Sequence, residues 1–168
     1  MDKAMEDVES LFRSAMRRFP AAVTVVTTSL EGADSGMTAT AVTSLSMEPP
    51  SLLVCVNRAA AFHEAIAQSS SFCVNLLRQG QEEISAAFGG RLPQERRFAH
   101  GVWQHRDGIP YLGDAQANIF CRRDSLFAYG SHSIVIGVVT GLLLREEVAP
   151  LLYVDGRYGA VAPASSEG

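Results

Sequence analysis

The chain has 168 residues, 47% hydrophobic and 19% charged, the balance of a single globular domain large enough to bury a core. A formal net charge of −4 and the lack of any Lys/Arg block exclude general nucleic-acid binding and adhesion to an anionic membrane. Cys55, Cys73 and Cys121 are widely spaced within apolar runs, which fits reduced, buried thiols in a cytosolic protein better than a disulfide scaffold.

The acidic opening, MDKAMEDVES, carries no apolar stretch, so no secretory signal is expected and the cytoplasm is the expected compartment. Val8, Leu11, Phe12, Ala15, Met16 and Phe19 recur at helical spacing, predicting an amphipathic helix over residues 4–18 that Pro20 stops. Residues 21–29 are β-rich, and residues 31–35, with Gly32 and Asp34, read as a turn. Residues 38–47 read as one strand, Pro49 and Pro50 break it, and residues 51–56 form a nearly all-apolar buried strand. A helix is predicted near 59–68, a buried strand over 72–77, and a short helix over 79–88 closed by Gly89 and Gly90. Residues 91–100 are polar and read as irregular and exposed. A strand over 102–106 and a turn over 107–110 follow.

Residues 115–123 alternate in polarity, Asp124 and Ser125 read as a turn, and 126–129 as a short strand. After a turn at Gly130 and Ser131 comes a long strand over 132–144, where Gly137 and Gly141 predict bends or bulges. Its apolar run is shorter than the about 20 residues of a membrane helix, so no membrane span is expected. A last strand over 151–154 leads to a tight turn at Asp155 and Gly156, and the tail over 163–168 is expected to be loose. Many short strands with few helices predict an antiparallel barrel or sandwich, one domain over residues 1–162.

Residues 36–58, GMTATAVTSLSMEPPSLLVCVNR, organise this pattern. Thr38, Thr40, Val42, Ser44 and Ser46 would share one face of an extended strand, and Ala39, Ala41, Thr43, Leu45 and Met47 the other. The first face is small and rich in hydroxyls. It suits close packing on a flat polar ligand, and equally the solvated face of an ordinary sheet. Asn57 and Arg58 stand just before a helix start, where free N–H groups and the helix dipole favour an anion.

There is no G-x-G-x-x-G after a strand, no P-loop and no G-x-S-x-G elbow, and neither the four histidines nor the cysteines make a metal pattern, so no metal is expected. His132 opens the longest strand and should lie at a barrel rim, as a functional group or as a half-exposed turn histidine. Trp103, Tyr129 and Tyr158 read as core or interface aromatics. Arg96 and Arg97, beside Phe98, read as a phosphate-binding pair or as solvated loop charges.

Taken in order, these stretches resemble a known family. FRSAMRRFPAAVTVVTT is similar to its opening helix and strand, and GMTATAVTSLSMEPP to its G-x-T-x-[ST]-A-V-x-S-x-S-x-x-P-P signature. LLVCVNRAAAFHEAI, FCVNLL, FGG, ERRF, YGSHSIVIGVV and LLYVDGRYG complete the series, which spans about residues 12–158. The family is the flavin reductase domain: short NAD(P)H:flavin oxidoreductases that serve two-component flavin monooxygenases. The resemblance implies a mainly β fold, an antiparallel Greek-key split barrel of the FMN-binding type with short flanking helices. It implies a homodimer with one FMN or FAD per subunit, NADH or NADPH as co-substrate, and a separate monooxygenase that receives reduced flavin.

By resemblance, Gly36, Met37, Thr38, Ala39, Thr40, Ala41, Ser44, Leu45 and Ser46 line the isoalloxazine ring. Cys55, Val56, Asn57, Arg58, Ala61 and Phe62 approach the ribityl and phosphate groups. His132 lies close to the nicotinamide, where many relatives carry Asp before the His and this chain has Ser131, and Tyr158 borders the nicotinamide site. The implied chemistry is hydride transfer from nicotinamide to flavin, with the protein stacking the rings and holding the reacting atoms about 3–3.5 Å apart. Two other readings stand beside it: a flavoprotein oxidase of the pyridoxamine-phosphate-oxidase type with tightly held FMN, and a non-enzymatic flavin-binding barrel.

Overall fold

A computed structural model describes residues 3–162; the tail expected to be loose lies outside them. Helix α1 (Lys3–Met16) is followed by β1 (Ala21–Ala22), β2 (Thr24–Leu30), β3 (Ala33–Ala39), β4 (Val42–Met47), β5 (Pro50–Asn57) and α2 (Phe62–Gln68). Then come β6 (Ser71–Leu76), α3 (Glu82–Ala86) running into a π-type turn (Ala87–Arg91), α4 (Gln94–Arg97), β7 (Trp103–Arg106) and β8 (Ile109–Leu112). Strands β9 (Ala117–Tyr129), β10 (His132–Leu144), β11 (Leu152–Val154) and β12 (Arg157–Gly159) complete the chain. The mainly β, antiparallel architecture is as expected.

The central sheet has seven strands in the order β3-β2-β6-β9-β10-β5-β4, every neighbouring pair antiparallel. Strands β3 and β4 are consecutive in the chain yet occupy opposite edges, joined only by Thr40 and Ala41. Three Cα steps separate Ala39 from Val42, so the two edges meet within about 11 Å. The sheet therefore curls almost onto itself and stays split at this seam. The single strand expected over residues 38–47 is thus two strands on different edges, and the alternation expected to put Thr38 with Ser44 and Ser46 is broken at the crossing.

Other boundaries differ for local reasons. The turn expected over 31–35 shrinks to Glu31 and Gly32, both at positive φ, the two-residue turn that matches strand twist; Asp107 with Gly108 and Asp155 with Gly156 repeat it. No turn occurs at Asp124 and Ser125. The ladder steps from Gly137↔Arg123 to Ile136↔Ser125, so Asp124 is the extra residue of a bulge within one long strand. A second register shift lies between Val139 and Gly141, in line with the bends expected at Gly137 and Gly141. Helix α2 starts at Phe62 rather than near 59, because residues 59–61 are spent in turns closed by Asn57.

Two apolar layers flank strand β2. Val26 joins Leu52, Val54, Val56, Phe72 and Val135 with Phe62 and Ile66 of α2 on the inner side. Val23 and Val25 join Leu77, Ile84, Phe88 and Leu112 on the outer side. Trp103 packs with Phe88 and Phe98 at ring separations of 5.1 and 5.0 Å, the core role expected for it. The cysteines are free. Burial pushes the Cys121 thiol up to about 12, and burial together with Cys121 pushes Cys73 up, so both are inert fillers.

Asn75 is fully buried and ties the β7–β8 hairpin to the barrel. Its Nδ2 donates to Val25 O at 2.8 Å, and its Oδ1 accepts from Leu112 N at 2.9 Å and Asn118 Nδ2 at 2.8 Å. Replacing Asn75 with Leu strands these groups in the interior and should cost at least about 3 kcal/mol. The urea midpoint measures this; a loss below about 1 kcal/mol would contradict the tie assigned to it.

Candidate active site

Three concavities that share lining residues run along β3 and the edge crossing at Thr40 and Ala41. The first, about 350 Å³, lies between Met37 and Thr38 of β3, Ala59–Phe62 before and at the start of α2, Gly89 and Arg97. The second, about 370 Å³, shares Thr38 and Gly89 with it and adds Thr40, Ser85, Arg91 and Tyr158. The third, about 820 Å³, shares Thr40 and Tyr153 with the second and adds Ala41, Ser131, His132 and residues of α1. Together they make one groove from the start of α2 to the rim at His132.

Strand β3 presents a free edge to this groove. Gly36 donates its N–H to Gln94 Oε1 at 3.0 Å and accepts at its O from Arg97 Nη1 at 2.7 Å, so its peptide groups point away from β2. Peptide direction alternates along a strand, so the N–H and C=O of Thr38 point the same way, over the groove. The Thr38 hydroxyl spends its proton on Ser85 O at 2.7 Å, and Tyr158 OH donates to Ser85 Oγ at 2.9 Å. Thr38 thus offers main chain, not a free hydroxyl proton.

At the α2 end, Asn57 closes the turns through Ala59 N to its Oδ1 at 2.9 Å and Ala60 N to its O at 3.0 Å. The N–H groups of Ala61 and Phe62 have no acceptor among the described residues. Arg97 lies beside them. Residues 91–100, expected to be irregular and exposed, instead hold α4, and this arginine is buried while Arg96 is exposed. Arg97 Nε donates to Leu92 O at 2.8 Å, and no carboxylate pairs with it among the described residues. Burial pulls its pKa below the ordinary guanidinium value, yet a guanidinium stays protonated in proteins. A buried cation with no carboxylate partner, lining the same concavity as two open N–H groups, is an arrangement that favours an anion. The sequence signal for it was the ERRF run, whose helical turn after Pro93 sends the second arginine inward.

At the other end, His132 opens β10 opposite Asn57, and its Nδ1 shares a 2.8 Å hydrogen bond with Ser131 Oγ, which fixes the ring's rotation. Arg58 N donates to Ser131 O at 2.9 Å and locks this turn to the end of β5. Tyr158 lines the second concavity rather than the one at His132; Tyr153, absent from the sequence reading, borders both and meets Tyr158 edge-on at 5.4 Å.

Several expected ring-lining residues lie elsewhere in this chain. Ser44 and Ser46 line a separate apolar cavity of about 340 Å³ with Val42, Leu52 and Ile119, because the crossing puts β4 on the opposite edge. Ser46 Oγ is also tied to Glu48, donating to its O at 3.1 Å. Leu45 is exposed, and Ala39 and Val56 face the inner core. Gly36 is buried, and a Cβ there would come within 2.7 Å of Phe88 Cε1, so its smallness serves packing. Cys55 is half-buried, its N–H bonded to Ala41 O at 3.0 Å across the seam.

Residues 16–162 match the family described as flavin reductase like domain. The chain belongs to this family. It is 48% identical to the reductase component of an FADH(2)-dependent resorcinol hydroxylase from Rhizobium sp. (strain MTP-10005), over 96% of this chain and 92% of that one. It is 40% identical to FMN reductase (NADH) RutF 1 of Methylorubrum extorquens, over 94% of this chain and 79% of that one. Its fold superposes with a TM-score of 0.86 and 30% identity on the Streptomyces globisporus NADH:FAD oxidoreductase SgcE6, solved with NAD and FAD fragments, covering 94% of each.

If Arg97 anchors a phosphate, Arg97→Gln should weaken FMN binding about 10- to 100-fold, the worth of a charged hydrogen bond, and spare riboflavin, which lacks the phosphate. Equal losses for both ligands in a fluorescence-quenching titration would refute the anchor.

Proposed function

We propose that this protein is an NAD(P)H:flavin oxidoreductase that supplies reduced FMN or FAD to a separate monooxygenase. The observation that carries the reading is the groove itself: an anion site at Arg97, a free strand edge at Thr38 in the middle, and a fixed imidazole at His132. The named relatives, which are reductases of flavins or reductase components of a hydroxylase, support it.

The residues present fit a flavin. Arg97 and the N–H groups of Ala61 and Phe62 would hold its phosphate, and Met37 and Thr38 would line the ribityl chain. The Thr38 edge amide and carbonyl would serve the polar rim of the ring, and the small Thr40 and Ala41 would let it approach the main chain. Bound flavin supplies the ring that accepts a hydride from the nicotinamide C4. The chain's own task is to bind, orient and exclude water: His132, held by Ser131, faces the cavity that takes the nicotinamide, and Tyr153 walls it. Among the titratable groups lining the first concavity Arg97 is the one cation, a sparse phosphate grip that suits a flavin that leaves and argues against a tightly held oxidase cofactor.

We propose further that two copies associate. Val8 and Leu11 of α1 are 60–66% exposed and stand outside the lining of the groove, an apolar patch that a second copy would cover. Among the described residues no helix is long and apolar enough to cross a membrane, and three free thiols suit the reducing cytoplasm.

Anaerobic stopped-flow with flavin in excess tests the activity: NADH or NADPH should bleach the flavin band, and no bleaching with either would overturn it. His132→Ala should lower kcat/KM for the nucleotide about 10-fold while the FMN Kd holds, and unchanged kinetics would reject the role given to it.

A further inference from the structure

The flavin site leaves the arginines of α1 and of the turn after it, Arg13, Arg17 and Arg18, without a task. Arg13 and Arg17 are one helical turn apart and so share a face. Both line the 820 Å³ concavity that His132 and Thr40 line, and both also line an adjoining concavity of about 460 Å³ with Arg18. The acidic groups on these surfaces are Glu9, 2.9 Å from Arg13, and Asp155, 3.4 Å from Arg17. Both ion pairs are well exposed and weakly held, so an anion of higher charge can displace the carboxylates. Three guanidiniums against two carboxylates leave this seam positive.

The seam is also positioned. Asp155 N donates to Arg17 O at 2.8 Å, pinning the turn after α1 to the β11–β12 turn. Arg17 Nη2 reaches Asp155 O at 3.4 Å and lies over Gly156, where a Cβ would come within 2.9 Å of it. We infer that Arg13 and Arg17 hold the pyrophosphate of the reduced pyridine dinucleotide whose nicotinamide lies against His132. The assignment rests on the reductase reading above and adds the part of the site that the flavin does not use. A pyrophosphate offers paired oxygens to the guanidinium forks, and the concavity has the size of a site for such a ligand.

The test compares NADH with 1-benzyl-1,4-dihydronicotinamide, a donor without phosphates, in the full-length protein. In the Arg13→Gln/Arg17→Gln variant the ratio of kcat/KM for NADH to that for the phosphate-free donor should fall at least about 10-fold, with the loss in KM for NADH. The Arg13→Lys/Arg17→Lys variant, which keeps the charge, should recover part of that ratio. A ratio that stays level, even if both rates fall together, would show that α1 serves only packing and would overturn the assignment. So would a Lys variant that recovers nothing. A wild-type protein that accepts neither donor would overturn the reductase reading, and this assignment with it.

Discussion

The structure depends on one connection. Two residues, Thr40 and Ala41, must carry the chain from one edge of a seven-stranded sheet to the other. A span that short forces the sheet to curl until its edges nearly meet, and it forbids the two edge strands from pairing where the chain crosses. The result is a seam whose flank is the free edge of β3. An unpaired strand edge is a liability in most sheets. Here α4 covers its outer end through Gln94 and Arg97, and the remainder, around Thr38, is left to the groove.

Electrostatics follow from that cover. Arg97 is buried because its guanidinium is needed to satisfy Gly36 O and Leu92 O, both main-chain acceptors at an edge and a helix start. Carbonyls hold the group in place without cancelling its charge. A buried cation answered only by dipoles favours any anion that can reach it. Ala61 and Phe62, whose N–H groups have no acceptor among the described residues, line the same concavity, and the adjoining alanines bring no competing side-chain oxygen. Structural necessity at the sheet edge and anion affinity in the groove are thus one arrangement.

The sequence was most legible where local chemistry decides. Period-2 runs, tight-turn pairs such as Asp155 and Gly156, and the break at Pro49 and Pro50 all follow from a few neighbouring residues. It was least legible where topology decides. Nothing in GMTATAVTSLSM says that the strand leaves one edge for another after Ala39, so alternation grouped Thr38 with Ser44 and Ser46, which the fold places in different cavities. Asp124 looked like a turn because a bulge and a turn draw on the same residues. Arg97 stayed open between phosphate binding and a solvated loop charge, because its burial depends on a carbonyl from a strand 61 positions earlier in the chain. The resemblance of ordered motifs reached the family, which the fold and the relatives bear out; the distribution of roles along residues 36–62 needed the structure.

The central claim is that the flavin lies along the β3 edge with its phosphate at the start of α2. Backbone amide shifts on adding FMN to the isotopically labelled protein address it most directly. The account predicts that the amides of residues 37–41 and 59–62 move together and saturate at one ligand per chain. Shifts centred on the apolar cavity at residues 44–52, with Ala61 and Phe62 unmoved, would contradict it.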